Sequence, residues 1–139
     1  MKNLHQPSKL LDKKEIEKLE KSFEKAWCKE TTYTDVQNKW SKENKALGQC
    51  AITALIIYDL YGGKIALDKE SHHLWNILPD GSEQDFSRSQ FKEATAFHIT
   101  KYQTKEEILF SEHGQRTQTP KRYELLKQRF QEEFKKLEN

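Results

Sequence analysis

A single apolar stretch organises this chain. Residues 50–61 read Cys-Ala-Ile-Thr-Ala-Leu-Ile-Ile-Tyr-Asp-Leu-Tyr and are closed by Gly62-Gly63, inside an otherwise polar sequence. The stretch is apolar nearly all round, which predicts a buried central helix with the paired glycines as its C-terminal stop. Its length favours helix over strand despite the β-branched residues. One third of the 139 residues are charged and mean hydropathy is -0.99, a balance close to that of disordered chains. Seven Phe, five Tyr and three Trp spread along the chain argue against disorder, because they supply a core for the apolar helix to join. The length fits one domain over 1–139, with residues 1–9 flexible and the core at about 20–130.

Around that helix the sequence reads as α+β. Ile16, Leu19, Phe23 and Trp27 recur at helical spacing among Lys and Glu, predicting an amphipathic helix over 10–28, where Asp12 and Glu15 resemble a capping box. Residues 29–47 show no period and predict an extended loop packed through its aromatics; loops of that length are usually functional. Short strands are predicted at 64–68, 73–78, 83–87 and 95–102, with Leu78-Pro79-Asp80-Gly81 as the turn between the middle two. The stretch 103–119 is ambiguous, with one helical turn around Ile108. Residues 120–137 then predict a second amphipathic helix, with Tyr123, Leu126, Phe130, Phe134 and Leu137 on one face. The architecture expected is a buried helix on a small antiparallel sheet, flanked by amphipathic helices at both ends. Asp59 and Arg88 are candidates for an internal ion pair.

Composition narrows the function classes. With 24 Lys+Arg against 22 Asp+Glu the net charge is +2, too slight for the concentrated positive patch of a nucleic-acid binder. No segment approaches the length of a membrane span, and the Lys/Glu-rich start lacks a signal peptide's apolar region. Two cysteines without an export signal suggest reduced thiols and a cytoplasmic setting. No cofactor is expected.

Cys50 stands at the predicted start of the buried helix. Unpaired backbone N–H groups and the positive end of the helix dipole stabilise a thiolate there, one of the settings that make cysteine a good nucleophile. Strand alternation puts His73, Trp75 and Ile77 on one face and His72, Leu74 and Asn76 on the other. With Pro79, Asp80 and Gly81 as a three-residue loop, Leu78 faces Ser82, Trp75 faces Asp85, and His73 is the diagonal neighbour of Asp85. This register selects His73 as the partner of Asp85; a one-residue slip selects His72. A carboxylate on one ring nitrogen would fix the tautomer and leave the other to face a thiol. Backbone N–H groups at the helix start could hold an oxyanion, with Asn44 or Gln49 as a side-chain donor. Trp40, Trp75 and Asn76 are candidate cleft walls, although a tryptophan is more often a plain core aromatic.

Cysteine on a helix start, histidine on a strand and aspartate on the next strand resembles the plan of the papain and transglutaminase superfamily, implying a papain-like core. Asn44 occupies the spacing at which papain-like enzymes carry a Gln as second oxyanion donor. A wider resemblance covers residues 20–130. The run 40–50 (Trp-Ser-Lys-Glu-Asn-Lys-Ala-Leu-Gly-Gln-Cys), then Thr53-Ala54-Leu55, Asp59, Gly62-Gly63, His73-Leu74-Trp75-Asn76, Leu78-Pro79-Asp80-Gly81, Asp85, Arg88, Gln90-Phe91 and Arg122-Tyr123-Glu124-Leu125-Leu126 are similar to the YunG-like family of uncharacterised bacterial proteins. That resemblance implies Cys50, His73 and Asp85 as the functional centre. It implies Cys28 as a packing residue, since the family usually has Ser there. Lys45 departs from the Pro usual after the Asn44-like position.

Three functions compete. The first is a cysteine hydrolase or acyl-transferase, peptidase- or amidase-like, acting on a peptide, amide or protein substrate through Cys50, His73 and Asp85. The second is a non-catalytic protein-interaction module on the same fold. The third is a metal site from Cys50, His72 or His73, His98 and Asp85, which no Cys-x-x-Cys or His-Glu-x-x-His spacing supports.

Overall fold

In the computed structural model, which describes residues 11–91 and 95–138, the chain folds as α+β; the stretch 1–9 lies outside the described residues. Helix α1 (Lys13–Ala26) opens on Asp12, whose carboxylate accepts the Glu15 N–H at 2.8 Å. The expected capping box is only half made. The Glu15 carboxylate instead accepts from the Tyr61 hydroxyl at 2.6 Å, tying α1 to the end of the next helix. Residues 29–47 are not extended: they wind into two 3₁₀ turns, Lys29–Thr31 and Thr34–Lys39. The hydroxyls of Thr31 and Thr32 both donate to the Cys28 carbonyl, a local alternative to an extended backbone.

Helix α2 (Cys50–Tyr61) is the apolar stretch, buried from Ile52 through Ile57 and stopped at Gly62. Strands β1 (Lys64–Asp68) and β2 (His73–Ile77) form an antiparallel hairpin in which Ala66 faces Trp75 and Ile65 faces Asn76. β3 (Glu83–Gln84) pairs with Asn76 and Ile77, and β4 (Lys101–Gln103) pairs with β1, in the order β3-β2-β1-β4. The turn has the expected register. Leu78 N–H donates to Ser82 at 2.8 Å, and Gly81 takes φ 91°, the left-handed backbone that the three-residue loop requires of it.

Two strands are shorter than expected. β3 ends at Gln84 because the chain turns at Asp85 into a 3₁₀ turn, Arg88–Gln90. Of the stretch 95–102, only Lys101 and Tyr102 lie in a strand, because Phe97 is drawn onto His73 (centroids 4.5 Å) and the Asp68 carboxylate holds the His98 N–H at 3.1 Å. Two short helices, α3 (Lys105–Phe110) and α4 (Glu112–Arg116), occupy the ambiguous stretch, each opened by a hydroxyl cap from Thr104 or Ser111.

Helix α5 (Thr119–Lys136) returns along α1 and buries Tyr123, Leu126 and Phe130. The core joins Leu19 and Phe23 of α1, Leu55 and Ile57 of α2, Ile65 and Leu74 of the sheet, and Leu126 and Phe130 of α5. Phe23 is its hub, stacked on Phe130 at 4.5 Å and on Trp27 at 5.8 Å; burying such a ring stabilises the fold by about 2–3 kcal/mol. Among the described residues no helix is long and apolar enough to cross a membrane.

Candidate functional site

The site lies where the start of α2 meets β2. Strand alternation turns Leu74 and Asn76 toward α2, with Asn76 donating to the Ala54 carbonyl at 2.9 Å. His73 and Trp75 project to the opposite face and stack at 5.7 Å. β3 pairs only as far back as Asn76, so no strand lies beside His73 on that side among the described residues.

His73 is 1 % exposed, and its Nε2 lies 2.6 Å from Oδ2 of Asp85. The structure thus brings His73 and Asp85 together, while His72 is exposed and takes a left-handed φ of 58°. That conformation presents the His72 carbonyl to the Cys50 thiol, with Sγ to O at 3.8 Å. The other His73 nitrogen, Nδ1, has no partner meeting hydrogen-bond geometry, and neither has Asp85 Oδ1. Burial pulls the pKa of His73 down, but the hydrogen bond to Asp85 and the neighbouring Cys50 thiol outweigh it and raise it to about 9. The ring is boxed by Trp75, by Phe91 edge-on at 4.9 Å and by Phe97 at 4.5 Å. Arg88 lies over Phe97, holds the Thr95 carbonyl and stands 3.7 Å from Asp85.

The loop that delivers Cys50 is held from two sides. Gly48 takes φ 72°, and a Cβ there would meet Thr32 and Val36 side chains within 2.9 Å, so this position accepts only glycine. Gln90 clasps the loop: its side chain accepts the Gly48 N–H at 3.2 Å and its carbonyl accepts from Asn44 at 3.3 Å. Gln49 is fully buried, and its amide nitrogen donates to the Cys28 carbonyl (3.1 Å) and to the Thr32 hydroxyl (2.7 Å). Both its hydrogens are therefore spent inward, leaving none to offer an oxyanion. Gln49 precedes α2 without a side-chain cap, so the first N–H groups of the helix keep no intrahelical acceptor.

The other candidates divide. Trp75 walls His73 and donates to Glu83 at 2.8 Å. Trp40 braces its own loop by donating to the Lys45 carbonyl at 3.0 Å. Asn76 stitches the sheet to α2 rather than lining a cleft. Cys28 and Cys50 are both free thiols, and Cys28 serves the loop through its carbonyl. Asp59 does not meet Arg88: it pairs with Lys105 at 2.8 Å and accepts from the Tyr123 hydroxyl. Among the described residues no three His, Cys, Asp or Glu side chains are grouped as a metal would need. A groove of about 510 Å³ between α1 and residues 85–89, over Trp27 and Phe86, reaches Asp85, and Cys50 is not among its lining residues.

Three contributors carried no role in the sequence reading. Gln90 ends the 3₁₀ turn Arg88–Gln90, and Phe97 lies in a stretch expected as strand that is irregular before Lys101. Arg122 had a signal: it shares a four-residue spacing with Leu126 and Phe130, so a charge falls on the apolar stripe of α5.

Fold and site together describe an α+β protein with a free cysteine at a helix start beside a buried His–Asp pair. The chain belongs to the YunG family, since residues 15–135 match the family described as YunG protein. It is 40% identical over 57 residues to the Bacillus subtilis (strain 168) protein called Uncharacterized protein YunG. That alignment covers 40% of this chain and 49% of the relative, about half its length. No solved structure matches the chain.

Proposed function

We propose that the chain is a cysteine-dependent hydrolase or acyl-transferase, peptidase- or amidase-like, with Cys50 as nucleophile. The observation that carries this reading is the buried His73–Asp85 contact at 2.6 Å, which leaves Nδ1 unpartnered on the ring that neighbours the Cys50 thiol. We read it as an arrangement of the papain and transglutaminase kind. The likeness rests on residue types, order and local geometry. Two free thiols suit a cytoplasmic, reducing setting.

In this mechanism Nδ1 of His73 takes the Cys50 proton and Sγ attacks the carbonyl carbon of a peptide or amide. The new C–S bond pushes the carbonyl electron pair onto oxygen. The free N–H groups at the α2 start hold that oxyanion, with the second amide hydrogen of Asn44 as the side-chain donor. As the tetrahedral intermediate collapses, the scissile C–N bond breaks and its nitrogen takes the proton from His73. His73 then deprotonates water or an amine as it attacks the thioester carbonyl, the C–S bond breaks, and Sγ takes the proton back from His73. Asp85 holds the ring in the required tautomer and stabilises the imidazolium.

A second reading, an interaction module without turnover, is favoured by one contact. The Cys50 thiol donates to the His72 carbonyl, which suits a protonated thiol. Alkylation of Cys50 by iodoacetamide separates the two, measured at pH 6.5 and pH 9 in a Cys28→Ser background. For the enzyme, the rate at pH 6.5 exceeds that of an unstructured cysteine peptide by about tenfold or more, and His73→Ala removes the excess. A rate equal to the peptide's, or one indifferent to His73, overturns the catalytic reading.

A further inference from the structure

Arg122 is 4 % exposed, and its hydrogen bonds all go to uncharged oxygens. Its guanidinium donates to the Thr117 carbonyl at 2.9 Å, the Thr31 carbonyl at 3.1 Å and the Thr119 hydroxyl at 3.1 Å. Among the described residues no carboxylate lies within ion-pair distance of it, whereas buried cations are ordinarily paired. Its charge therefore sits in the interior with its hydrogen bonds made and its countercharge missing.

Three groups able to carry a negative charge act on it: Cys50 from α2, and Tyr33 and Asp35 from the 29–39 segment. Asp35 is half out in solvent and faces Arg116 of α4 at 3.7 Å. Tyr33 lies beneath the guanidinium at 5.7 Å and stacks on His113 of α4, and burial with the nearby Asp35 raises its pKa, so it stays neutral. Of the three, Cys50 is the one that stands at the helix start which the 28–32 turn holds through Gln49. Arg122 itself is pulled down to about 10 by burial, so it is a cation throughout the neutral range.

The same residue also fixes where Cys50 stands. The Thr31 carbonyl that it grips belongs to the turn whose Cys28 carbonyl and Thr32 hydroxyl clamp Gln49, the residue before Cys50. Thr31 in turn accepts the Cys28 N–H at 3.1 Å. The guanidinium thus ties α5 and residues 117–119 to the 28–32 turn, and that turn in its own right holds the loop entering α2.

We infer that Arg122 is a positioning residue for Cys50, holding the turn that clamps Gln49 and supplying the interior positive charge that favours the thiolate. The inference rests on the nucleophile reading of Cys50 and adds a second source of activation, independent of His73.

The test is the pH-resolved alkylation of Cys50, in Cys28→Ser protein carrying Arg122→Gln, Arg122→Lys or His73→Ala, with folding checked by circular dichroism. Arg122→Gln is expected to slow alkylation at pH 6.5 by about five- to tenfold while leaving pH 9 nearly unchanged. Arg122→Lys keeps the charge and should hold the pH 6.5 rate within about twofold of the parent. Equal slowing at both pH values, or none, would leave Arg122 a structural residue and overturn the inference. If Arg122→Gln does not fold, Arg122→Lys decides: a selective loss at pH 6.5 despite the retained charge overturns it, and a held rate supports it. His73→Ala keeps the two readings apart. A response to Arg122 without one to His73 sinks the triad and retains the interior cation, and the reverse does the opposite.

Discussion

The two ends of α2 carry polar clusters built by opposite rules. At the C-terminal end, Asp59 has both carboxylate oxygens engaged, one by Lys105 at 2.8 Å and one by the Tyr123 hydroxyl. Lys105 also donates to Tyr123 at 3.0 Å, closing the cluster on itself. At the N-terminal end, Gln49 Oε1, His73 Nδ1 and Asp85 Oδ1 are buried without partners, and Arg122 lacks a countercharge. A buried polar atom without a partner costs about 1–3 kcal/mol. The C-terminal cluster locks α2 to α3 and α5. The N-terminal cluster stores unsatisfied capacity around a thiol, which is the physical content of calling it a candidate site.

The largest effect should appear with pH. His73 is raised from 6.5 to about 9 in the folded state. Its contribution is therefore complete below pH 6.5 and is lost as pH rises through about 9; the shift corresponds to at most about 3 kcal/mol. Urea unfolding at pH 6 and pH 9.5 should show this loss in the parent chain and much less of it in His73→Gln. A parent as stable at pH 9.5 as at pH 6 would mean that the imidazolium is not held by its neighbours.

Next comes the loop that delivers the thiol. Gly48→Ala forces a side chain into left-handed backbone and against Thr32 and Val36. A cost of roughly 2–3 kcal/mol is expected in chemical denaturation, together with slower Cys50 alkylation, because the displaced loop carries the residue. Unchanged stability would show that the 32–36 turn yields freely, so that it could not be what sets Cys50.

These comparisons also show what was legible in the sequence. The apolar run and its glycines placed α2, because an apolar segment flanked by polar sequence leaves a pattern within itself. The hairpin register followed from Pro79-Asp80-Gly81, and register decides which side chains share a face. The meeting of His73 with Asp85 was legible for that reason alone. Contacts made across long separations left no such pattern. Gln90 reaches Gly48, and Arg122 reaches Thr31, from segments whose local sequence says nothing of their partners. Gln49 misled for a related reason. Its place beside the thiol suggested a donor, but the 28–32 turn, itself unreadable as structure, consumes its amide.

At the satisfied end of α2, Asp59→Asn removes the charge that Lys105 answers while preserving an acceptor. Both groups are about a quarter exposed, so solvent offsets part of the loss and about 1.5 kcal/mol of destabilisation is expected. Cys50 alkylation should not change, since the residue sits at the far end of the helix. A variant that lost reactivity along with stability would join the two clusters into one cooperative unit and erase the contrast.

The smallest effect on stability should come from Asp85, the partner of His73 in the candidate site. Asp85→Asn keeps the shape of the side chain and can still accept from Nε2 of His73, so at pH 9.5, where the imidazolium no longer contributes, the folded chain should lose less than about 1 kcal/mol. The neutral amide no longer stabilises the imidazolium, so the alkylation rate of Cys50 at pH 6.5 should fall severalfold while the rate at pH 9 stays near the parent's. Paired with Asp59→Asn, this gives a crossed result: one aspartate moves stability and spares the thiol, the other moves the thiol and spares stability. If both aspartates moved stability alone, the unpartnered atoms around His73 would be imperfect packing, and the two ends of α2 would differ in degree rather than in kind.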